Sequence, residues 1–367
     1  MNEAAEFRRT VIEPTARALV GKDEIVEVLA VALVARENAF LLGPPGTAKS
    51  ALVQQIARRL GGRSFDYLLT RFTEPSELFG PFDLRRLRDG DLVTNTEGML
   101  PEADFVFLDE LFNANSAILN SLLLALNERV FRRGRETRPL PMLMAVGASN
   151  SLPEDEALSA LYDRFLLRVR CDNVADDRLD EVLAAGWAGE TAAAEPTLTP
   201  EVARGLQRRV PRVDLSDVSK PYRSLIRSLR DAGLPISDRR AVRMQRVVAA
   251  SAVMADRDVA DVSDLWVMEF IWDTPDQVEV LRGHLDAVVP DDRPPAKNPH
   301  PMASRREGAD PDAIAAMLDR IAADGSGGRT NADALSMAAA RVQWVVDDGP
   351  RRHLTDRIAA MRGTPGE

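Results

Sequence analysis

The sequence predicts an α/β protein whose core is a parallel sheet covered by helices on both faces, continued by an all-helical segment. Three observations carry this. Four short apolar runs read as buried strands: NAFLLG from Asn38, FVFLDE at Phe105 to Glu110, PMLMAVGASN at Pro141 to Asn150, and LLRVRC from Leu166. Helical stretches such as ALVQQIARRLGG and SAILNSLLLALNERVF separate them, and strands that run apolar throughout while alternating with helices indicate a sheet buried on both sides. After about Asp172 the strand signals fade.

Taken in order, residues 1 to 36 read as helix, with Ile25, Val28, Leu29, Ala32 and Leu33 at helical spacing. NAFLLG feeds a glycine-rich loop, and the helix ALVQQIARRLGG stops at a glycine pair. The α/β core is expected to span 1–172 and a helical region 173–285, in which ISDRRAVRMQRVVAASAVMA is a strong helix and Trp266 and Trp272 are expected in that region's own core. The proline-rich, charged stretch VVPDDRPPAKNPHPMASRREGAD predicts a linker over 286–310. In the tail, 311–367, Asp310 and Pro311 make an N-cap and first-turn pair. Ile314, Met317, Leu318 and Ile321 then share one face, and after GSGG a second helix carries Leu335, Val342 and Val345.

At 367 residues, two or three structural units are expected. Apolar residues make up 45% and charged residues 28%, the balance of a water-soluble globular chain. With aromatics at 5%, the core must rest on aliphatic side chains. The net charge of -10 disfavours non-specific attraction to nucleic acid or anionic lipid. Cys171 is the single cysteine, so no internal disulfide framework can form, and His284, His300 and His353 lack metal-ligand spacing. The polar start MNEAAEFRRT has no apolar signal region, and no apolar run approaches the ~18 residues of a membrane span. A cytoplasmic location is the simplest expectation.

The chemistry concentrates in GPPGTAKS, Gly43 to Ser50. The phosphate-loop pattern G-x-x-x-x-G-K-[ST] asks for glycine before the lysine, and this chain has Ala48 there. Gly43 and Gly46 supply backbone freedom, Lys49 a charge for the outer phosphates, and Ser50 a hydroxyl for magnesium, with a strand before and a helix after. If residue 48 opens the helix, its φ is negative and alanine costs nothing. FVFLDE delivers Asp109 and Glu110 to the C-terminal end of a buried strand, the edge where open α/β sheets bind ligands. Asp109 can hold magnesium, and Glu110 can orient and deprotonate a water. A second buried strand ends at Asn150, whose amide can bond the γ-phosphate or the attacking water or merely cap the next turn.

GPPGTAKS, FVFLDE, GASN and ALYDRFLLRV, in this order and spacing, resemble an AAA+ ATPase. LVGKDEIVEVLAVALVARENAFLLGPPGTAKS and GMLPEADFVFLDELFNANSAILNSLLLALNERVF resemble the MoxR family, in which alanine before the lysine is usual. TRFTEPSELFGPFDLRRL and NSLPEDEALSALYDRF are similar to its RavA branch. The resemblance is strong over Ala18 to Asp172, moderate over Ser237 to about Thr274, and absent from the tail. It implies an AAA+ αβα core with a helix-2 insert between Arg71 and Leu100, a hairpin from Phe131 (FRRGRETRPLPM) before the sensor-1 strand, a helical lid and a helical tail. It also implies ATP with Mg2+ as ligands. Gly43, Pro44, Pro45, Gly46, Thr47, Ala48, Lys49, Ser50 and Ala51 then form the Walker A region, Ser50 and Asp109 hold the metal, and Asp109 and Glu110 are the Walker B pair. Asn150 matches sensor 1, Arg164 the arginine finger that reaches a neighbouring subunit, and Arg239 sensor 2, with Arg240 the alternative. Val20 and Gly21 sit where the family lines its adenine pocket.

The function so implied is ATP hydrolysis at subunit interfaces of a ring, expected to be hexameric, that remodels a client protein with a von Willebrand factor A domain protein as co-factor. The alternatives are a nucleic-acid motor, which the acidic balance disfavours, a metal-chelatase-type ATPase subunit, and a scaffold held together by nucleotide without enzymatic turnover. The hairpin arginines Arg132, Arg133, Arg135 and Arg138 could meet a polyanion or stand in solvent.

Overall fold

A computed structural model of the chain describes residues 2–83, 85–86, 92–133, 136–189, 197–288, 298–305, 311–323, 329–342, 345 and 348–363. The strands are β1 (Ala39–Leu42), β2 (Ser64–Leu68), β3 (Phe105–Asp109), β4 (Val130–Arg133), β5 (Glu136–Pro139), β6 (Met144–Ser149) and β7 (Leu167–Arg170). The helices are α1 (Glu3–Phe7), α2 (Glu13–Ala18), α3 (Asp23–Ala35), α4 (Lys49–Arg59), α5 (Pro75–Phe79), α6 (Ser116–Glu128), α7 (Glu156–Tyr162), α8 (Leu179–Gly189), α9 (Pro200–Arg209), α10 (Ser216–Asp231), α11 (Asp238–Met254), α12 (Gln277–Val288), α13 (Pro311–Ala323), α14 (Arg329–Val342) and α15 (Asp348–Gly363). A π-helical stretch, Arg8–Ile12, joins α1 to α2, and a break at Leu19–Lys22, with Gly21 at φ 72, separates α2 from α3.

The fold class is the expected one: mixed α/β, a central parallel sheet, and a helical lid. Five strands form the sheet in the order β2-β3-β6-β1-β7, all parallel. Every residue of β6 is buried, as a central strand covered on both faces requires. The sequence reading missed β2. It is an edge strand in which Phe65 is buried while Ser64, Asp66 and Leu68 are exposed, so it carries no continuous apolar run. β4 and β5 form the hairpin expected before β6, and Val130 and Phe131 belong to it rather than to α6.

α3 is buried from Ile25 to Ala35 on all sides, as an all-round apolar helix must be. It lies against β7 and carries α9 and the lid helix α11 on its other side, so it joins sheet to lid. Trp266 and Trp272 are buried in the lid as expected. The Arg8 guanidinium makes a two-pronged pair with Glu27 of α3, Nη1 to Oε1 at 2.5 Å and Nη2 to Oε2 at 3.0 Å, which pins the N-terminal helix to this joint.

The expected linker is more structured than its composition indicates. Residues 289–297 and 306–310, Asp310 included, lie outside the described residues, but Pro301–Arg305 forms a 3-10 turn. His300 and Met302 are fully buried there, and the His300 ring stacks on Trp266 at 4.9 Å. Burial holds the imidazole well below its ordinary pKa, with the charges of Arg8 and Arg257 adding to the effect, so it packs as a neutral ring. The tail is a three-helix unit, α13 to α15, closed on Ile314, Leu318, Leu335, Val342, Val345, Leu354 and Ile358. Its third helix had no expectation behind it. The tail sits on the N-terminal helices of the same chain, where Ser336 donates to Glu13 and Arg362 lies 3.2 Å from Glu13. No helix among the described residues is long and apolar enough to cross a membrane.

Candidate functional site

Gly43 leaves β1 between the ends of β6 and β7. Leu42 is in register with Ser149 on one side and Arg170 on the other, and the Gly43 N–H donates to Ser149 O at 3.0 Å. A Cβ at Gly43 would stand 2.1 Å from Cys171 O, so only glycine fits where the loop begins. Pro44, Pro45 and Gly46 are exposed at the tip, and Thr47 turns its hydroxyl back onto Pro44 O at 2.9 Å. Lys49 opens α4, with Ser50 and Ala51 next in its first turn, so the loop leads into a helix N-terminus, the partial positive charge that suits an anion. The Lys49 ammonium is buried and donates to Gly43 O and Pro44 O, each at 2.8 Å. The Lys49 charge is therefore held by two backbone carbonyls at the mouth of the loop.

Ala48 departs from expectation. It stands at φ 66, ψ 26, in the left-handed region, not at the negative φ of a helix-opening residue. A Cβ there costs roughly 1–2 kcal/mol, which glycine avoids. Ala48→Gly should therefore leave hydrolysis intact and raise the unfolding free energy by up to about 1 kcal/mol, the relief being partly offset by the freer unfolded chain. Chemical denaturation reads this, and a drop in stability would contradict the backbone assignment.

Two strands away, β3 ends at Asp109. At about 4.8 Å per strand spacing, the loop and Asp109 are about 10 Å apart laterally, room for the outer phosphates and a metal between them. Leu108 is level with Gly147 of β6, so both strands finish at the same edge. Glu110 is held at φ 49, ψ 48, its N–H on Asp109 Oδ1 at 3.0 Å. A glutamate in this left-handed conformation is backbone strain of the kind that collects at functional sites. Asn150 follows β6 between loop and acids, exposed at that edge. The arrangement brings together a cation, a helix N-terminus, two carboxylates and an amide. Its hydroxyl and carboxylate donors, Ser50 and Asp109, suit a hard divalent ion that arrives on phosphates. Among the described residues no cluster of three or more His, Cys, Asp or Glu is placed to hold a metal ion.

Val20 and Gly21 reach the same end of the sheet, where a Cβ on Gly21 would touch Val174 just beyond β7 and Lys22 Nζ donates to Asp172 O. A cavity of 360 Å³ opens beside Val20, lined also by Asp23 and Arg178. Burial pushes the Asp23 carboxyl up, against the pull of its own backbone N–H and of Arg178.

The remaining expected residues lie at the opposite edge. The carbonyl of Arg164 accepts from Asn38 Nδ2 at 3.2 Å, which fixes it beside the start of β1, a strand length of about 13 Å from the loop. Its guanidinium pairs with Asp163 at 3.2 Å, and its buried Nε has no hydrogen-bond partner. Burial first, then the charges of Arg239 and Arg243, depress its pKa, while Asp163 opposes them. Arg239 is exposed beside it, with Nη2 on Asn127 Oδ1 at 2.7 Å. Arg240 turns inward, pairs with Asp273 at 3.0 Å and donates to Ile271 O, so it is committed within the lid, while Arg168 of β7 reaches the same Asp273 from the core.

Three residues at these edges had no expectation. Arg243 follows Arg239 by one helical turn, pairs with Glu37, and completes the cationic face. Asn115 caps α6, accepting from Ala117 and Ile118 N–H, while its amide donates to Arg71 O at 3.2 Å and Thr73 O at 2.8 Å. The asparagine before SAIL is a readable cap signal. Cys171 is buried with Sγ donating to Thr47 O at 3.3 Å, a contact no sequence pattern announces.

Two of the hairpin arginines are engaged within the chain instead of standing in solvent. Arg133 donates to Gly80 O and lies 4.0 Å over the Phe82 ring, and Arg138 donates to Thr96. They staple the hairpin to the segment before β3. Arg132 is exposed, and Arg135 lies outside the described residues.

Comparison with known proteins bears on the family and the fold. The family model described as the MoxR domain in the MoxR-vWA-beta-propeller ternary systems matches residues 6–208, and an AAA lid domain matches residues 221–285. An uncharacterized protein of Methanocaldococcus jannaschii is 35% identical over 257 residues, 69% of this chain and 68% of that protein. The chaperone MoxR1 of Mycobacterium tuberculosis is 29% identical over 185 residues, 49% of this chain and 48% of that protein. A crystal structure of a candidate ATPase from Cytophaga hutchinsonii shares the fold at a TM-score of 0.63 and 17% identity, covering 78% of this chain and 95% of that one.

Proposed function

This chain belongs to the MoxR family of AAA+ ATPases, and we propose that it hydrolyses ATP at the interfaces of a ring of identical copies. The observation that carries the reading is the opposition of two edges. The loop, Asp109, Glu110 and Asn150 occupy one edge of the sheet, while Arg164 and Arg239 occupy the other. A chain cannot bring its own Arg164 to its own loop, but head-to-tail contact sets the arginine edge of one copy on the nucleotide edge of the next, and such contacts close into rings.

In this reading the backbone N–H groups of the loop and Lys49 hold the phosphates of magnesium-ATP, with Ser50 and Asp109 as oxygen donors to the ion. Glu110 accepts the proton of the attacking water, and Asn150 orients that water. Arg164, from the neighbouring copy, neutralises charge developing on the transferred phosphoryl group, and Arg239 stands beside it. Arg239 rather than Arg240 is the sensor-2 residue, because Arg240 is committed to Asp273. Val20 and Gly21 line the base side. The core over 1–172, lid over 173–285, linker over 286–310 and tail over 311–367 are the proposed units.

The ring is hexameric in this proposal, acts in the cytoplasm, and remodels a client protein. Its co-factor carries a von Willebrand factor A domain, a partner suggested by the systems after which the matched MoxR domain is described. TRFTEPSELFGPFDLRRL and NSLPEDEALSALYDRF support a place near the RavA branch.

Mixing two inactive chains tests the interface. Arg164→Ala keeps an intact nucleotide edge, and Glu110→Gln keeps an intact arginine edge. Each alone should turn over poorly, and the mixture should regain activity through the interfaces where one supplies Glu110 and the other Arg164. A mixture no faster than its components would sink the shared-site reading.

A further inference from the structure

The tail docks on the N-terminal helices but does not fill the space it encloses there. Between α14, α15 and the end of α2 lies an open cavity of 710 Å³, within the range that accommodates several side chains. Its floor is aliphatic, formed by Ala339, Val342 and Ile358. Its rim is cationic: Arg17 comes from α2, and Arg351, Arg352 and Arg362 come from α15. Asp356 is the single carboxylate among the described lining residues. Arg362 reaches Glu13 at 3.2 Å beneath the rim, and all four guanidinium side chains are exposed.

This concentration of positive charge runs against the chain as a whole, which carries -10. A cationic rim over an apolar floor on an acidic molecule focuses attraction on one place. Guanidinium forks bind carboxylates in two-pronged geometry and, being weakly hydrated, do so beside apolar surface. Among the described lining residues there is no aromatic side chain on which the bases of a nucleic acid could stack.

We propose that this cavity is the docking site for an acidic peptide segment of another protein. One aliphatic side chain of the segment enters over Val342 and Ile358, and carboxylates on either side engage Arg17, Arg351 and Arg352. The site is separate from the nucleotide machinery but not remote from it. Arg17 and Arg362 also line the 360 Å³ cavity beside Val20, so an occupant lies against the helix that leads into the base side of the nucleotide site.

Fluorescence anisotropy with the full chain tests this, the probe being a labelled peptide of alternating glutamate and leucine. Binding should fall in the micromolar range and weaken as salt rises. The double variant Arg351→Glu, Arg352→Glu should weaken it by about tenfold or more, with an unchanged thermal melt, while the double lysine variant should retain most of it. Wild-type chain that ignores the peptide, or binds the glutamine–leucine version equally well, overturns the proposal. So does an oligothymidylate that binds more tightly and displaces the peptide, or a charge-reversed chain that binds like wild type.

Discussion

Arg164→Ala should lower ATP turnover by about 10³–10⁵-fold, equivalent to about 4–7 kcal/mol of transition-state stabilisation. Nucleotide affinity should stay within about threefold, because the guanidinium stands at the edge of the sheet away from its own loop. The fold should lose little. The pair with Asp163 at 3.2 Å is half-exposed and worth at most about 1 kcal/mol, and the buried Nε satisfies nothing within the chain. A polar atom left buried and unpartnered in a folded chain fits a group whose partner arrives from outside. Arg164→Lys should recover only part of the loss, since it restores the charge without the planar fork. Steady-state rates against ATP concentration, beside equilibrium nucleotide binding, separate the two quantities. Parallel loss of rate and affinity would remove the residue from the proposed role.

Gly43→Ala should be the most damaging single methyl in the chain's nucleotide loop. The added carbon would stand 2.1 Å from Cys171 O, which is backbone of the adjoining strand end and cannot rotate away. Either the β1–β7 pairing opens or the loop is displaced, and a loss of about 3 kcal/mol in stability, with nucleotide binding abolished, is the expected result. Gly46→Ala is the control. Gly46 sits at φ 82 with nothing within 4 Å of its would-be Cβ, so it should cost only about 1–2 kcal/mol of conformational strain. Denaturation midpoints of the two variants check the ranking. Equal effects would mean that backbone conformation, not the close approach to Cys171, governs this loop.

Sheet and loop were readable because their signals are local. β1, β3 and β6 lie inside the sheet and spell nearly continuous apolar runs, and β7, at the far edge, is legible from Leu166, Leu167 and Val169 despite its two arginines. β2 lies at the edge, buries Phe65 alone of its five residues, and spells nothing comparable. Positive φ at Ala48 was unreadable for a different reason: a Cβ penalty of a kcal/mol or two is small enough for the surrounding loop to override. The choice between Arg239 and Arg240 depended on where the lid lies. Neighbours on a helix point about 100° apart, and only the packing of α11 against the Ile271–Asp273 segment shows that Arg240 is the one facing inward. The buried His300–Met302 anchor was hidden by the prolines and charges around it, which read as linker. The cationic face assembles from α11, the turn before β7 and the end of α3, segments far apart in sequence.

Asn115 gives the molecule a mechanical linkage. One side chain caps the helix that follows the strained Glu110 turn and, through the same amide, grips the carbonyls of Arg71 and Thr73 at the root of the segment before β3. Arg133 and Arg138 bolt that segment to the β4–β5 hairpin. The Glu110 turn runs into the helix cap, and the cap, the segment before β3 and the hairpin are thus joined by one series of side-chain hydrogen bonds. What the fold supplies is a bracket: Asn115, Arg133 and Arg138 tie the Glu110 turn to the two-stranded hairpin through one segment.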